Sequence, residues 1–166
     1  MCSSDLAPTP GITAVTVSYI NSQNNNFYLN GLAVGGSPNL ENNSALFRLG
    51  HTYTIAGLPG VTYVQTGAGI LSPDGSIASY PGSKGMTDTT IATAIWPYAN
   101  STTRTYLGVA AYASLPTGEY SNTKPLNLGT NRYSQALQMG YQRPLMKDMD
   151  VAMAVDTTWF GANSQC

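Results

Sequence analysis

The chain has 166 residues, a net charge of -1 and only 9% charged residues. That balance excludes the basic footprint of a nucleic-acid-binding protein, and no apolar run is long enough for a transmembrane helix. Leu, Ile, Val and Phe number 32, about 19% of the chain, which is thin for a soluble core. With 11 Tyr and 17 Gly, this composition fits a protein with lipid against one side and polar side chains lining the other.

In chain order, MCSSDL at Met1–Leu6 resembles the translation of a sequencing-adapter end and is expected to be non-native. Residues 7–166 are then expected to form one β domain, truncated at both ends. Cys2 and Cys166 lie at the extremes, and no Cys/His metal spacing exists, so neither a metal nor an organic cofactor is expected. Eight segments read as strands: Gly11–Tyr19, Phe27–Val34, Ser44–Ala56, Val61–Gly67, Met86–Trp96, Arg104–Leu115, Asn131–Arg143 and Asp148–Phe160. β-Branched and aromatic residues alternate within them, and Gly, Pro, Asn and Ser cluster between them.

Alternation assigns faces. On the third segment Phe47, Leu49, His51, Tyr53 and Ile55 oppose Ser44, Leu46, Arg48, Gly50, Thr52 and Thr54. On the sixth, Leu107, Val109, Ala111, Ala113 and Leu115 oppose Tyr106, Gly108, Ala110, Tyr112 and Ser114. On the seventh, Tyr133, Gln135, Leu137, Met139 and Tyr141 oppose Arg132, Ser134, Ala136, Gln138, Gly140 and Gln142. On the last, Met149, Val151, Met153, Val155 and Trp159 oppose Asp150, Ala152, Ala154 and Asp156. On the last segment the first set is expected to face lipid and the second a wet lumen; on the third the His51 set is expected at lipid or an interface and the Arg48 set in the lumen, and Arg132 is expected on the inner wall. Tyr133 and Tyr141 are spaced to sit in the two aromatic girdles of a membrane barrel.

The links alternate in length. GLPG (Gly57–Gly60), PYANSTT (Pro97–Thr103) and PLMK (Pro144–Lys147) are short; Gly36–Asn43, Ala68–Gly85 and Pro116–Thr130 are long. Outer-membrane barrels show this asymmetry, and their strands need about 9–11 residues, longer than the soluble mode. These features predict an all-β, antiparallel, up-and-down transmembrane β-barrel of about eight strands, or an incomplete part of one.

YLGVAAYASLPTGEY (Tyr106–Tyr120) followed by LNLGTNRYSQALQMGYQR (Leu126–Arg143) resembles a family of outer-membrane proteins named after the meta pathway of phenol degradation. The matching residues are Leu115, Pro116, Thr117, Gly118, Glu119 and Tyr120, then Asn127, Leu128, Gly129, Arg132 and Tyr133. Gly85 and Asp88, in GMTDTTIATAIW, fit the same pattern upstream. The resemblance covers about Gly85–Phe160 and implies a barrel of the Gram-negative outer membrane that passes small, often aromatic or apolar compounds, with no catalytic residues. The family usually has more than eight strands and an aromatic last residue, whereas this chain ends in Ser164, Gln165 and Cys166.

Four charges fall on the predicted inner wall: Arg48, Arg132, Asp150 and Asp156. They either set the field that a solute meets or pair across strands and keep the lumen hydrated; Asp150 lies close enough to a short turn to be a rim residue. His51, the single histidine, is the one residue on which a lipid-modifying barrel enzyme could be built, and no Ser/Asp set converges on it in the sequence. The expected partners are outer-membrane lipid and small solutes. A secreted β-sandwich used for binding or adhesion would show the same alternation, with the greasy face against a second sheet.

Overall fold

The computed structural model describes residues 7–26, 28–29, 31–33 and 35–163. The expected non-native leader Met1–Leu6, both cysteines and the C-terminal Ser164–Cys166 lie outside them. Alternating sequence becomes strand: β1 (Thr13–Asn24), β2 (Tyr28–Leu29), β3 (Leu32–Ala33), β4 (Pro38–Ile55), β5 (Leu58–Gly75), β6 (Ser83–Met86), β7 (Thr89–Asn100), β8 (Thr105–Leu115), β9 (Ser134–Met146) and β10 (Met149–Phe160). No helix occurs among the described residues.

The long strands pair antiparallel in the order β1-β4-β5-β7-β8-β9-β10, so each neighbours its successor in an up-and-down meander. β5 divides its free edge: Gly60–Gln65 pair with β7, and Ala68–Leu71 pair with β6. The links sort by end. Residues 56–57, 101–104 and 147–148 turn at one end; residues 25–37, 76–88 and 116–133, carrying the β2–β3 hairpin and β6, lie at the other. Among the described residues β1 pairs only with β4 and β10 only with β9, so there the curled sheet is open along both outer strands.

Several expected boundaries move. Phe27–Val34 is not one strand but the short β2–β3 hairpin, and Phe27 and Val34 are not among the described residues. Pro38–Asn43, expected as link, begins β4. Ala68–Gly75, expected as the start of the long link Ala68–Gly85, continues β5, and the chain turns just after it, with Ala78 N donating to Gly75 O at 3.2 Å. Pairing with each other extends β4 and β5 to 18 residues, well past a bilayer span of about 9–11. The outer face of this extension is polar: Tyr19 Oη donates to Asn43 Oδ1 at 2.7 Å, and Asn21 and Asn43 donate to Glu41 Oε1. PYANSTT also splits. Pro97–Asn100 stay in β7, where the register slips between Ile95 and Tyr98. Pro97 has no N–H for the ladder, and a bulge is how a sheet absorbs such a residue.

Candidate conduit wall

The register carries one side-chain parity across the whole sheet. One row runs Ala14, Gly50, Tyr63, Ala92, Tyr112, Ala136, Thr158; the row two residues along runs Thr52, Val61, Ala94, Ala110, Gln138, Asp156. These are the residues of the concave face. The opposite parity carries Val15, Val17, Phe47, Leu49, Val64, Ile91, Val109, Leu137, Met139, Met153 and Val155, all exposed. Met153 is 62% and Val155 61% accessible, whereas concave-face Trp96 is 6% and Tyr106 9%. Among the described residues no second layer covers the greasy face.

The concave face encloses a cavity of about 390 Å³. Its floor is built of small residues, Ala94, Gly108, Ala110 and Gly140, and aromatic rings rise around it. Tyr63 and Tyr112 stand toward the long-link end and Trp96 and Tyr106 toward the short-turn end. The alternation of small and large is geometric: the Trp96 indole occupies the space over Gly108, where a Cβ would lie 3.3 Å from Nε1. Tyr112 Oη donates to Gln138 Oε1 at 2.8 Å, which holds its ring toward β9.

Among the described residues Arg48 is the one charged residue lining this cavity. Its guanidinium lies over the Tyr63 ring, 4.3 Å from the centroid, and donates from Nε (2.9 Å) and Nη2 (2.6 Å) to Gln65 Oε1. The other three sequence-predicted charges do not join it. Arg132 precedes β9 at the long-link end and stacks over Phe160 at 4.4 Å. Asp150 forms an ion pair with Arg104 Nη2, tying the 101–104 turn to β10 at the short-turn rim. Asp156 pairs in register with Gln138 on the outermost strand and is exposed. His51 sits on the exposed greasy parity, with Nδ1 2.8 Å from Thr13 Oγ1.

The residues that carried the family resemblance come together as one clasp at the long-link end. β8 stops at Leu115, before Pro116. Asp88, immediately before β7, then accepts from Gly118 N (2.9 Å), Thr130 N (2.8 Å) and Thr130 Oγ1 (2.7 Å). Thr117 Oγ1 accepts from Thr89 N, and Glu119 N donates to Met86 O. The 116–133 link folds back on itself, so that Gly118 and Gly129 meet backbone to backbone. A Cβ on Gly129 would lie 2.6 Å from Gly118 C. Asn127 closes the loop tip, donating to Ser121 O and Lys124 O and accepting from Ser121 N. Asp88 as the centre of this knot had no local signal in the sequence beyond its motif position. The ring pair Tyr63 and Trp96 was also unforeseen: their strands mix Val, Thr and Ala on both faces, which leaves little contrast to assign.

The geometry has relatives. The chain is similar to an outer-membrane channel from Pseudomonas putida F1 of known crystal structure, at 28% sequence identity and a TM-score of 0.89, over 97% of this chain and 60% of that one. The chain therefore spans about three-fifths of that channel's length. No curated protein matches it. The family described as "Putative MetA-pathway of phenol degradation" matches residues 29–165. An exposed apolar face with no second layer, a polar and aromatic concave face and this pair of similarities place the chain in the Gram-negative outer membrane, and it belongs to that family.

Proposed function

We propose that the protein is an outer-membrane channel for small, aromatic or apolar solutes, and that the concave face of β1, β4, β5 and β7–β10 is the wall of its conduit. The observation that carries this reading is the pairing of opposite faces on the same strands: large apolar side chains bare on one, small residues with a ring of Tyr and Trp on the other. In hydrocarbon every backbone group must be paired internally, so strands beyond β1 and β10 complete the barrel in the working protein. The matched channel, longer than this chain, is in keeping with that. Arg48, Arg132, Asp150 and Asp156 are the charges we assign to the inner wall and its rims, Arg48 within the conduit and Asp150 at the short-turn rim. Bilayer lipid is the partner of the convex face. The alternative β-sandwich would need a sheet over the Met153–Val155 row, which stands bare.

Reconstitution of the full-length protein tests this. Heat-modifiable gel mobility and discrete conductance steps in planar bilayers are expected. Recovery as a soluble monomer without detergent, or a silent bilayer from correctly folded protein, overturns the reading.

A further inference from the structure

Arg48 is held in an unusual state of readiness for a residue on a conduit wall. Most long cations on a wet surface sample many rotamers. This one is fixed by the Tyr63 ring beneath it and by Gln65, which takes Nε–H and one Nη2 hydrogen. A guanidinium has five N–H donors, so three have no acceptor among the described residues, and Arg48 itself lines the cavity. The rest of that cavity offers a small apolar floor, Ala94 and Ala110, flanked by Tyr63 and by Trp96, whose indole covers Gly108. Among the described residues no acidic side chain lines it.

A neutral apolar ring needs only the floor and the aromatic flanks. A pre-set planar cation beside them matches a planar anion, because guanidinium and carboxylate pair edge to edge through parallel hydrogen bonds. We propose that the cavity is a binding subsite for aromatic monocarboxylates: the ring on the Ala94–Ala110 floor, the carboxylate on Arg48, with Gln65 as the residue that positions the guanidinium. This rests on the channel reading and adds to it a charge requirement on the solute.

The test is current blockade in planar bilayers by the full-length protein, with benzoate, its neutral analogue benzamide and the non-aromatic acetate as probes. Benzoate is expected to block at roughly tenfold lower concentration than either analogue, the scale of one charge-assisted hydrogen-bond pair at a partly wet site. Arg48→Gln should bring benzoate level with benzamide. Arg48→Lys, which keeps the charge without the planar fork, should recover only part of the preference. Gln65→Ala should weaken benzoate blockade while leaving benzamide unchanged. If the wild-type channel conducts but benzoate blocks no better than benzamide, or if Arg48→Gln leaves benzoate blockade intact, the anion subsite is wrong. Acetate blocking as well as benzoate removes the aromatic part of the proposal. If the wild-type protein gives no conductance at all, it is the channel reading that has failed, and this outcome removes the subsite with it.

Discussion

The convex and concave faces are made by the same strands, one residue out of phase, and they obey different rules. The convex face tolerates size and carries most of the large apolar side chains: Val17, Leu137, Met153 and Trp159 are half or more exposed. The concave face tolerates polarity and is sensitive to size: the Trp96 ring is accommodated by Gly108, and a Cβ on Gly50 would crowd the Tyr63 Cβ at 3.3 Å. A water-soluble sheet reverses this relation, packing its greasy face and wetting the other. Face identity is therefore read from what each side penalises: charge on one, bulk on the other.

The sharpest way to break that comparison is a pair of arginines on adjacent residues of β10. On the proposed reading Met153→Arg places a cation in hydrocarbon near mid-bilayer and should cost about 2–4 kcal/mol in folding into lipid vesicles. Ala152→Arg points to the concave face and should cost far less. Equal costs measured by denaturant titration would mean that the two faces are not distinguished by solvent. A third variant marks where the bulk rule ends: a Cβ on Gly140 meets nothing closer than Met153 O at 4.0 Å, so Gly140→Trp should leave stability nearly unchanged and, because Gly140 lines the cavity, reduce single-channel conductance on the proposed reading.

The two ends of the sheet differ as well. The short-turn end is closed by turns of two to four residues, while the long-link end depends on the Asp88 clasp for its order. Asp88→Ala removes the acceptor for three hydrogen bonds and should cost about 1–3 kcal/mol, the range for losing a charged acceptor and stranding its donors. Limited proteolysis should then cut within 116–133 in folded protein. Gly129→Val should give the same cleavage pattern by a different route, forcing Gly118 away. Protection of the loop in both variants would show that the clasp does not hold it.

The faces and the parity of the links were legible because alternation and link length are local properties. β8, β9 and β10 carry strong contrast between apolar and small or polar residues, and their faces read directly. What escaped depended on pairing. Pro38–Asn43 sets Asn39, Glu41 and Asn43 against Pro38, Leu40 and Asn42, with Leu40 its one large apolar residue, so its alternation carries little signal; it is strand because Asp74, Pro73 and Ser72 lie opposite in register. Arg132 shares the parity of the inner wall, but its stack on Phe160 joins residues 28 apart in number that only the β9–β10 hairpin brings together. The convex face also holds a hydroxyl trio, Tyr53, Thr62 and Thr93, mutually bonded at 3.0 Å across three strands, which no single segment reveals. Tyr53 lies against Gly60, where a Cβ would sit 2.5 Å from Cε2. Gly60→Ala should displace the ring, open the trio and cost about 1–3 kcal/mol, and a neutral result by denaturant titration would mean that the ring has another resting place.

The smallest effect separates a rim from a wall. Arg104 and Asp150 form the one ion pair among the described residues, and both side chains are substantially exposed, 54% and 34%. Exposed pairs are worth about 0.2–1 kcal/mol and are screened by salt. If Asp150 is a rim residue, Asp150→Asn should fall in that range, lose its effect in high salt and leave the conductance and ion selectivity of the channel as they were. A charge inside the conduit behaves differently: its removal changes selectivity even where stability is untouched, because an ion must pass through its field. Arg48→Gln is the internal control for that second pattern. Should Asp150→Asn shift the reversal potential as far as Arg48→Gln does, the short-turn rim is itself part of the conduit, and the field seen by a solute extends from Arg48 to the β9–β10 turn.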